Sequence, residues 1–95
     1  PLVPANTRAT SKRNPKPEYP SIARRRGWEG KVILRIEVRK DGTAGKVEVD
    51  RSSGREVLDQ AAVRAIKRWL FTPATRAGEP VDSVYTLSFD FKLDN

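Results

Sequence analysis

The 95-residue sequence contains no cysteine and no histidine. Without cysteine there are no disulfides and no thiol chemistry. Without histidine there is no Ser-His triad, and a zinc site would lack its usual ligands. No segment approaches the roughly 18 apolar residues that a membrane-spanning helix needs. There is no internal repeat. The opening Pro1-Leu2-Val3-Pro4 has neither Met nor a signal-peptide pattern, so the chain reads as an excised fragment whose anchor or targeting segment is expected upstream. What remains is one domain's worth of chain, enough for a single modest core. Hydrophobic residues make up 37% and charged residues 33%, which suits a small α/β or α+β domain. The net charge of +7 and pI of about 10.3 leave two readings open, an anionic partner or a solvated face. The excess is concentrated at Arg8, Lys12, Arg13 and Lys16 and at Arg24-Arg25-Arg26.

Residues 1–16 hold Pro1, Pro4, Pro15, Asn6, Thr7, Thr10 and Ser11 with few apolar groups, and read as the flexible end of a linker. The folded domain is expected over 17–95. Pro20 fits the first position of a short helix and Gly27 the position just past its end. Val32, Leu34, Ile36 and Val38 then alternate with polar residues as in a half-buried strand, with Ile33 as the exception. Asp41-Gly42 supplies the positive φ angles of a hairpin turn, and Val47 and Val49 continue the return strand. Ser53 and Glu56 have the spacing of a capping box. The helix they open carries Leu58, Ala61, Ala62, Ala65, Ile66, Trp69 and Leu70 on one apolar face, and Pro73 ends it. Gly78-Glu79-Pro80 is expected to turn the chain into a last strand, where Tyr85, Leu87, Phe89, Phe91 and Leu93 alternate with Thr86, Ser88, Asp90 and Lys92.

These elements predict an α+β fold. A three-stranded antiparallel or mixed sheet packs on one long helix, with a short helix before it. Laying the third strand beside the first, antiparallel to it, gives strand order 2-1-3 and leaves the third strand at an edge. No proline interrupts residues 81–93, so that edge is blunted only by Asp90 and Lys92. It is either a site where an extended peptide adds to the sheet or an ordinary edge covered by the tail or a second copy. Likewise Asn14-Pro15-Lys16-Pro17-Glu18-Tyr19-Pro20 is either a pre-ordered docking strand or a stiff linker end. Ser52-Ser53 reads as a cap, with no His and no placed Lys to activate a hydroxyl, and the chain reads as non-enzymatic. A nucleic-acid platform would need aromatics on an exposed sheet face among basic residues; here the aromatics of the last strand lie with Leu87 and Leu93 beneath the helix.

The ordered set Tyr19-Pro20, Gly30-Lys31-Val32, Asp41-Gly42, Ser52-Ser53-Gly54, Ala61-Ala62, Trp69-Leu70-Phe71-Thr72-Pro73-Ala74 and Gly78-Glu79-Pro80-Val81 resembles the C-terminal domain of the TonB family over residues 17–93. The resemblance implies the periplasmic part of an energy transducer anchored in the inner membrane beside a proton-driven motor complex. Such a domain captures the TonB box, a short extended peptide of outer-membrane transporters, and passes on energy for siderophore, haem or cobalamin uptake. The residues implied to meet the box are Asn14, Pro15, Lys16, Pro17, Glu18, Tyr19 and Pro20, together with Val84, Tyr85, Thr86, Leu87, Ser88, Phe89, Asp90, Phe91 and Lys92. No cofactor, metal, nucleic acid or small-molecule substrate is implied. Lys16 stands where well-known members carry Gln. It attracts an acidic group but cannot accept a hydrogen bond, which points toward a dedicated paralogue such as one for haem uptake. TonB-like domains also occur as appendages of other envelope proteins that bind different partners or the cell wall, and the basic tail would suit peptidoglycan.

Overall fold

The structure, a computed structural model, describes residues 2–7 and 14–93. Arg8, Lys12 and Arg13 of the basic tail lie outside the described residues. Strand β1 (Leu2–Val3), strand β2 (Asn6–Thr7) and helix α1 (Ser21–Arg26) are followed by β3 (Gly30–Val38) and β4 (Ala44–Arg51). Helix α2 (Glu56–Ile66) leads to the short strands β5 (Phe71–Thr72), β6 (Ala74–Arg76) and β7 (Glu79–Val81), and the chain ends in β8 (Ser83–Phe91).

The main sheet has the order β4-β3-β8 with every pairing antiparallel, which is the expected 2-1-3 arrangement. Its inner face presents Val32, Leu34, Ile36 and Val38 of β3, all fully buried, to Leu58, Ala62 and Ile66 of α2. These aliphatics form the centre of the core because period two on the strand and steps of three and four on the helix bring both rows to one plane. Helix α2 packs chiefly over β4 and β3.

Three local expectations differ from what forms. The Ser53–Glu56 capping box is absent. Gly54 at φ 96° re-aims the chain and Arg55 becomes the helix N-cap, so Ser53 lies too far upstream to cap. Helix α2 stops at Ile66 rather than Leu70. Lys67 and Arg68 form a turn, after which Trp69 N–H bonds the Ile66 carbonyl and Leu70 bridges to Thr43. The long hairpin turn uses Gly42 alone at positive φ (88°), while Asp41 accepts the Thr43 N–H and hydroxyl.

Residues between the helix and the last strand form a small sheet of their own. Strands β6 and β7 are joined by Ala77-Gly78, both at positive φ (52° and 80°), the signature of a two-residue hairpin loop. Glu79-Pro80 is thus strand rather than turn. Within the stretch expected to be a linker end, Leu2–Val3 pairs with β6, Asn6–Thr7 pairs with β5, and Ala5 joins the core.

Candidate functional site: the β8 edge and residues 14–20

Strand β8 pairs along its whole length with β3, from Gly30↔Phe91 to Val38↔Ser83. Among the described residues no strand pairs with its other side. Alternate residues of an antiparallel edge direct N–H and C=O groups away from the sheet, so β8 offers an uninterrupted row of donors and acceptors nine residues long. Nothing in Ser83–Phe91 is proline. Thr86, Ser88 and Asp90 are exposed on the outer face, as is the apolar Val84 at 53%.

The inner row of β8 is less covered than that of β3. Tyr85, Leu87 and Phe89 are half-buried and only Phe91 is fully so, because α2 sits over the other two strands. Aromatic rings cover the two ends instead. At one end Trp69 meets Phe71 (6.3 Å between centroids) and Phe71 meets Tyr85 (6.0 Å). At the other, Phe89 packs edge-on against Phe91 (4.9 Å) and Phe91 against Tyr19 (5.4 Å).

The segment 14–20 bridges these two clusters. Asn14 clasps Leu70 in both directions: its Nδ2 donates to the Leu70 carbonyl (3.0 Å) and its Oδ1 accepts the Leu70 N–H (2.8 Å). The Trp69 indole N–H donates to the Pro15 carbonyl at 2.8 Å, and Pro17 is buried. Tyr19 donates its hydroxyl to the Trp28 carbonyl and carries the Arg24 guanidinium over its ring at 5.1 Å. Loss of hydration raises the Tyr19 phenol above its ordinary range, Glu29 adds to this, and Arg24 opposes it. Pro20 is the N-cap of α1, its carbonyl accepting the Arg24 N–H at 3.0 Å. Left-handed Gly27 closes that helix, with Trp28 N–H bonded to the Ala23 carbonyl and Gly27 N–H to that of Arg24, the Schellman pattern.

The residues singled out in the sequence are therefore joined at both ends of β8. Lys16 and Glu18 are placed differently, lining a cleft against α2. Sequence reasoning missed the residues that hold the segment: the Asn14–Leu70 clasp, the indole bond, and Trp28, which lies between Arg26 (5.7 Å) and Arg55 (4.3 Å). The Asn-Pro-x-Pro string marks an extended segment, but nothing in it signals which helix end receives it. Ser52 and Ser53 direct their hydroxyls at the Asp59 carboxylate, which gives them a structural role. Among the described residues no group of three or more acidic residues is placed to hold a metal ion, and no helix is long and apolar enough to cross a membrane.

The family profile of the Gram-negative bacterial TonB protein C-terminal domain matches residues 15–93. The chain belongs to this TonB C-terminal family. It is 53% identical to protein tonB2 of Pseudomonas aeruginosa over 85% of this chain and 30% of that protein. It is 43% identical to protein TonB of Vibrio cholerae over 83% of this chain and 32% of that protein. This TonB-type domain thus spans about a third of the length of those curated relatives. The fold is similar to the solution NMR structure of the P. aeruginosa TonB C-terminal domain, with a TM-score of 0.75 and 30% identity over 87% of this chain and 84% of that one.

Proposed function

We propose that this domain is the periplasmic end of a TonB energy transducer and captures the TonB box of outer-membrane transporters by strand addition to β8. The observation that carries the reading is the open β8 edge, free of proline and bounded at both ends by aromatic clusters tied to residues 14–20. In strand addition, backbone hydrogen bonds supply affinity and alternate side-chain positions supply selectivity. Val84, Tyr85, Thr86, Leu87, Ser88, Phe89, Asp90, Phe91 and Lys92 are the residues along which the box would lie, with Asn14 to Pro20 beside them. Hydrogen bonds lying across the pulling direction are loaded together in shear, so the joint suits force transmission along an upstream linker. That linker would lead to an inner-membrane anchor and its motor complex, and the pull would serve siderophore, haem or cobalamin uptake. Lys16 in place of Gln points to a dedicated paralogue, such as one for haem uptake.

The test is an NMR titration of the isotope-labelled domain with TonB-box peptides and a scrambled control. Saturable shifts along 84–92 and 14–20, absent with the scrambled peptide, are the expected result. An intact fold that responds to no box peptide would rule out strand capture.

A further inference from the structure

Arg64 of helix α2 and Arg68, in the turn just past its end, are both exposed beside a floor of Ala61 and Ala65. Facing them across a cleft of about 510 Å³ are Lys16 and Glu18 of the extended segment. A second cavity of about 320 Å³ continues the cleft past Glu18 and Arg64 toward Tyr19. Three cations against one carboxylate leave a local charge of +2. The one ion pair among the described residues joins Lys46 and Glu48 on the sheet, so Lys16, Arg64 and Arg68 bring their charges to the cleft without a paired carboxylate there.

We propose that the cleft between residues 15–18 and α2 docks an acidic, extended peptide segment bearing carboxylates two residues apart. The match is geometric as well as electrostatic. Lys67 keeps right-handed helical dihedrals just past α2 (φ −59°, ψ −24°), so Arg64 and Arg68 stay about 6 Å apart along the helix axis. In an extended strand, side chains two residues apart point the same way at a spacing of roughly 6.6 Å. Alternate Asp or Glu residues on one side of such a segment would therefore fall opposite Arg64 and Arg68, where each guanidinium can take a carboxylate bidentately. Ala61 and Ala65 keep the floor low enough for a main chain to approach, and Lys16 closes the wall from the other side. The cleft lies over α2 and not along β8, so this docking site is additional to strand capture and stands whether or not β8 binds a box.

The test uses the 95-residue chain, isotope-labelled, and a capped peptide of sequence Thr-Glu-Val-Glu-Thr at low salt. An isomer with adjacent glutamates, Thr-Glu-Glu-Val-Thr, is the comparison. The expected result is a saturable shift of Lys16, Arg64 and Arg68 with the amides of Ala61 and Ala65, weaker for the isomer. The double variant Arg64→Gln/Arg68→Gln is expected to weaken binding by about tenfold or more, since two charge-assisted contacts are lost. Arg25→Gln/Arg35→Gln, exposed and outside the cleft, is expected to change it by no more than about twofold. Equal binding of both isomers, shifts spread over Arg24–Arg26, or no saturable shift would each overturn the proposal. So would stronger movement of the same resonances by polyphosphate, which would make the cleft a site for anionic polymers.

Discussion

Asp59 is the buried charged residue of the core region, only 7% exposed, and its carboxylate collects three donors. The Ser52 hydroxyl bonds one oxygen, while the Ser53 N–H (2.9 Å) and hydroxyl (2.7 Å) bond the other. The serine hydroxyls in turn accept the N–H groups of Gly54 (3.0 Å) and Arg55 (3.2 Å), so the approach to α2 is tied together through one side chain. Burial pushes the Asp59 carboxyl up, but the bonds from Ser52 and Ser53 outweigh it and hold the group below its ordinary value. A carboxyl depressed in the folded state stabilises fully above the unfolded value of about 4 and loses that contribution as pH falls through the folded value. Asp59→Asn is therefore expected to cost about 1–3 kcal/mol at neutral pH, because an amide cannot accept all three donors. In urea melts the gap between variant and parent should narrow at pH 3. A gap of the same size at both values would show that the charge is not what holds the loop. The sequence displayed all three residues, yet its legible signal was Ser53 with Glu56. That spacing means a box only if the helix begins at Ser53, and the left-handed Gly54 postpones the start. Glu56 instead accepts a bond from Gln60, one turn on (2.8 Å).

Among the elements, the long strands were legible because alternation over many residues has one reading: β3 buries the row that its pattern marks, and β8 half-buries its own row as far as fully buried Phe91. The end of α2 was not. Trp69 and Leu70 continue the helical period, but the Phe71 N–H goes to the Gly42 carbonyl (2.8 Å), and that long-range bond draws the chain out of the helix. Strands β1, β2, β5, β6 and β7 are two or three residues each, too short for any period to register. Gly30, read only as part of a motif, has a packing reason. A Cβ there would lie 2.6 Å from the Ser53 carbonyl oxygen and 3.0 Å from its Cβ, so β3 begins pressed against the loop that precedes α2. Gly30→Ala is expected to destabilise by about 1–3 kcal/mol through overpacking, as measured by chemical denaturation. In NMR spectra its largest shifts should fall at residues 52–54. An unchanged melt would mean that this approach relaxes freely.

At the scale of the whole molecule, the edge strand and the segment 14–20 form one surface only while the segment stays attached. Its attachments include the two Asn14–Leu70 bonds, the Trp69 indole bond to Pro15, the burial of Pro17, Tyr19 on Phe91 and the Tyr19 hydroxyl on the Trp28 carbonyl. Only the Tyr19–Phe91 contact reaches the sheet, while Asn14 and Pro15 are held by the chain just past α2, so residues 14–15 and the core have separable stabilities. Trp69→Phe keeps an aromatic ring beside Phe71 but removes the donor to Pro15. A neutral hydrogen bond of this kind contributes about 0.5–1.5 kcal/mol, enough to raise the open population of the segment by roughly twofold to tenfold. Exchange of the Leu70 amide, whose N–H is held by Asn14 Oδ1, should accelerate by that factor, while the amides of β3 keep their protection. If the proposed capture needs the segment in place, TonB-box affinity should fall in the same proportion. Unchanged affinity with faster exchange would confine capture to the backbone row of β8. Faster exchange throughout β3 and α2 as well would instead show that the segment is part of the core's own cooperative unit.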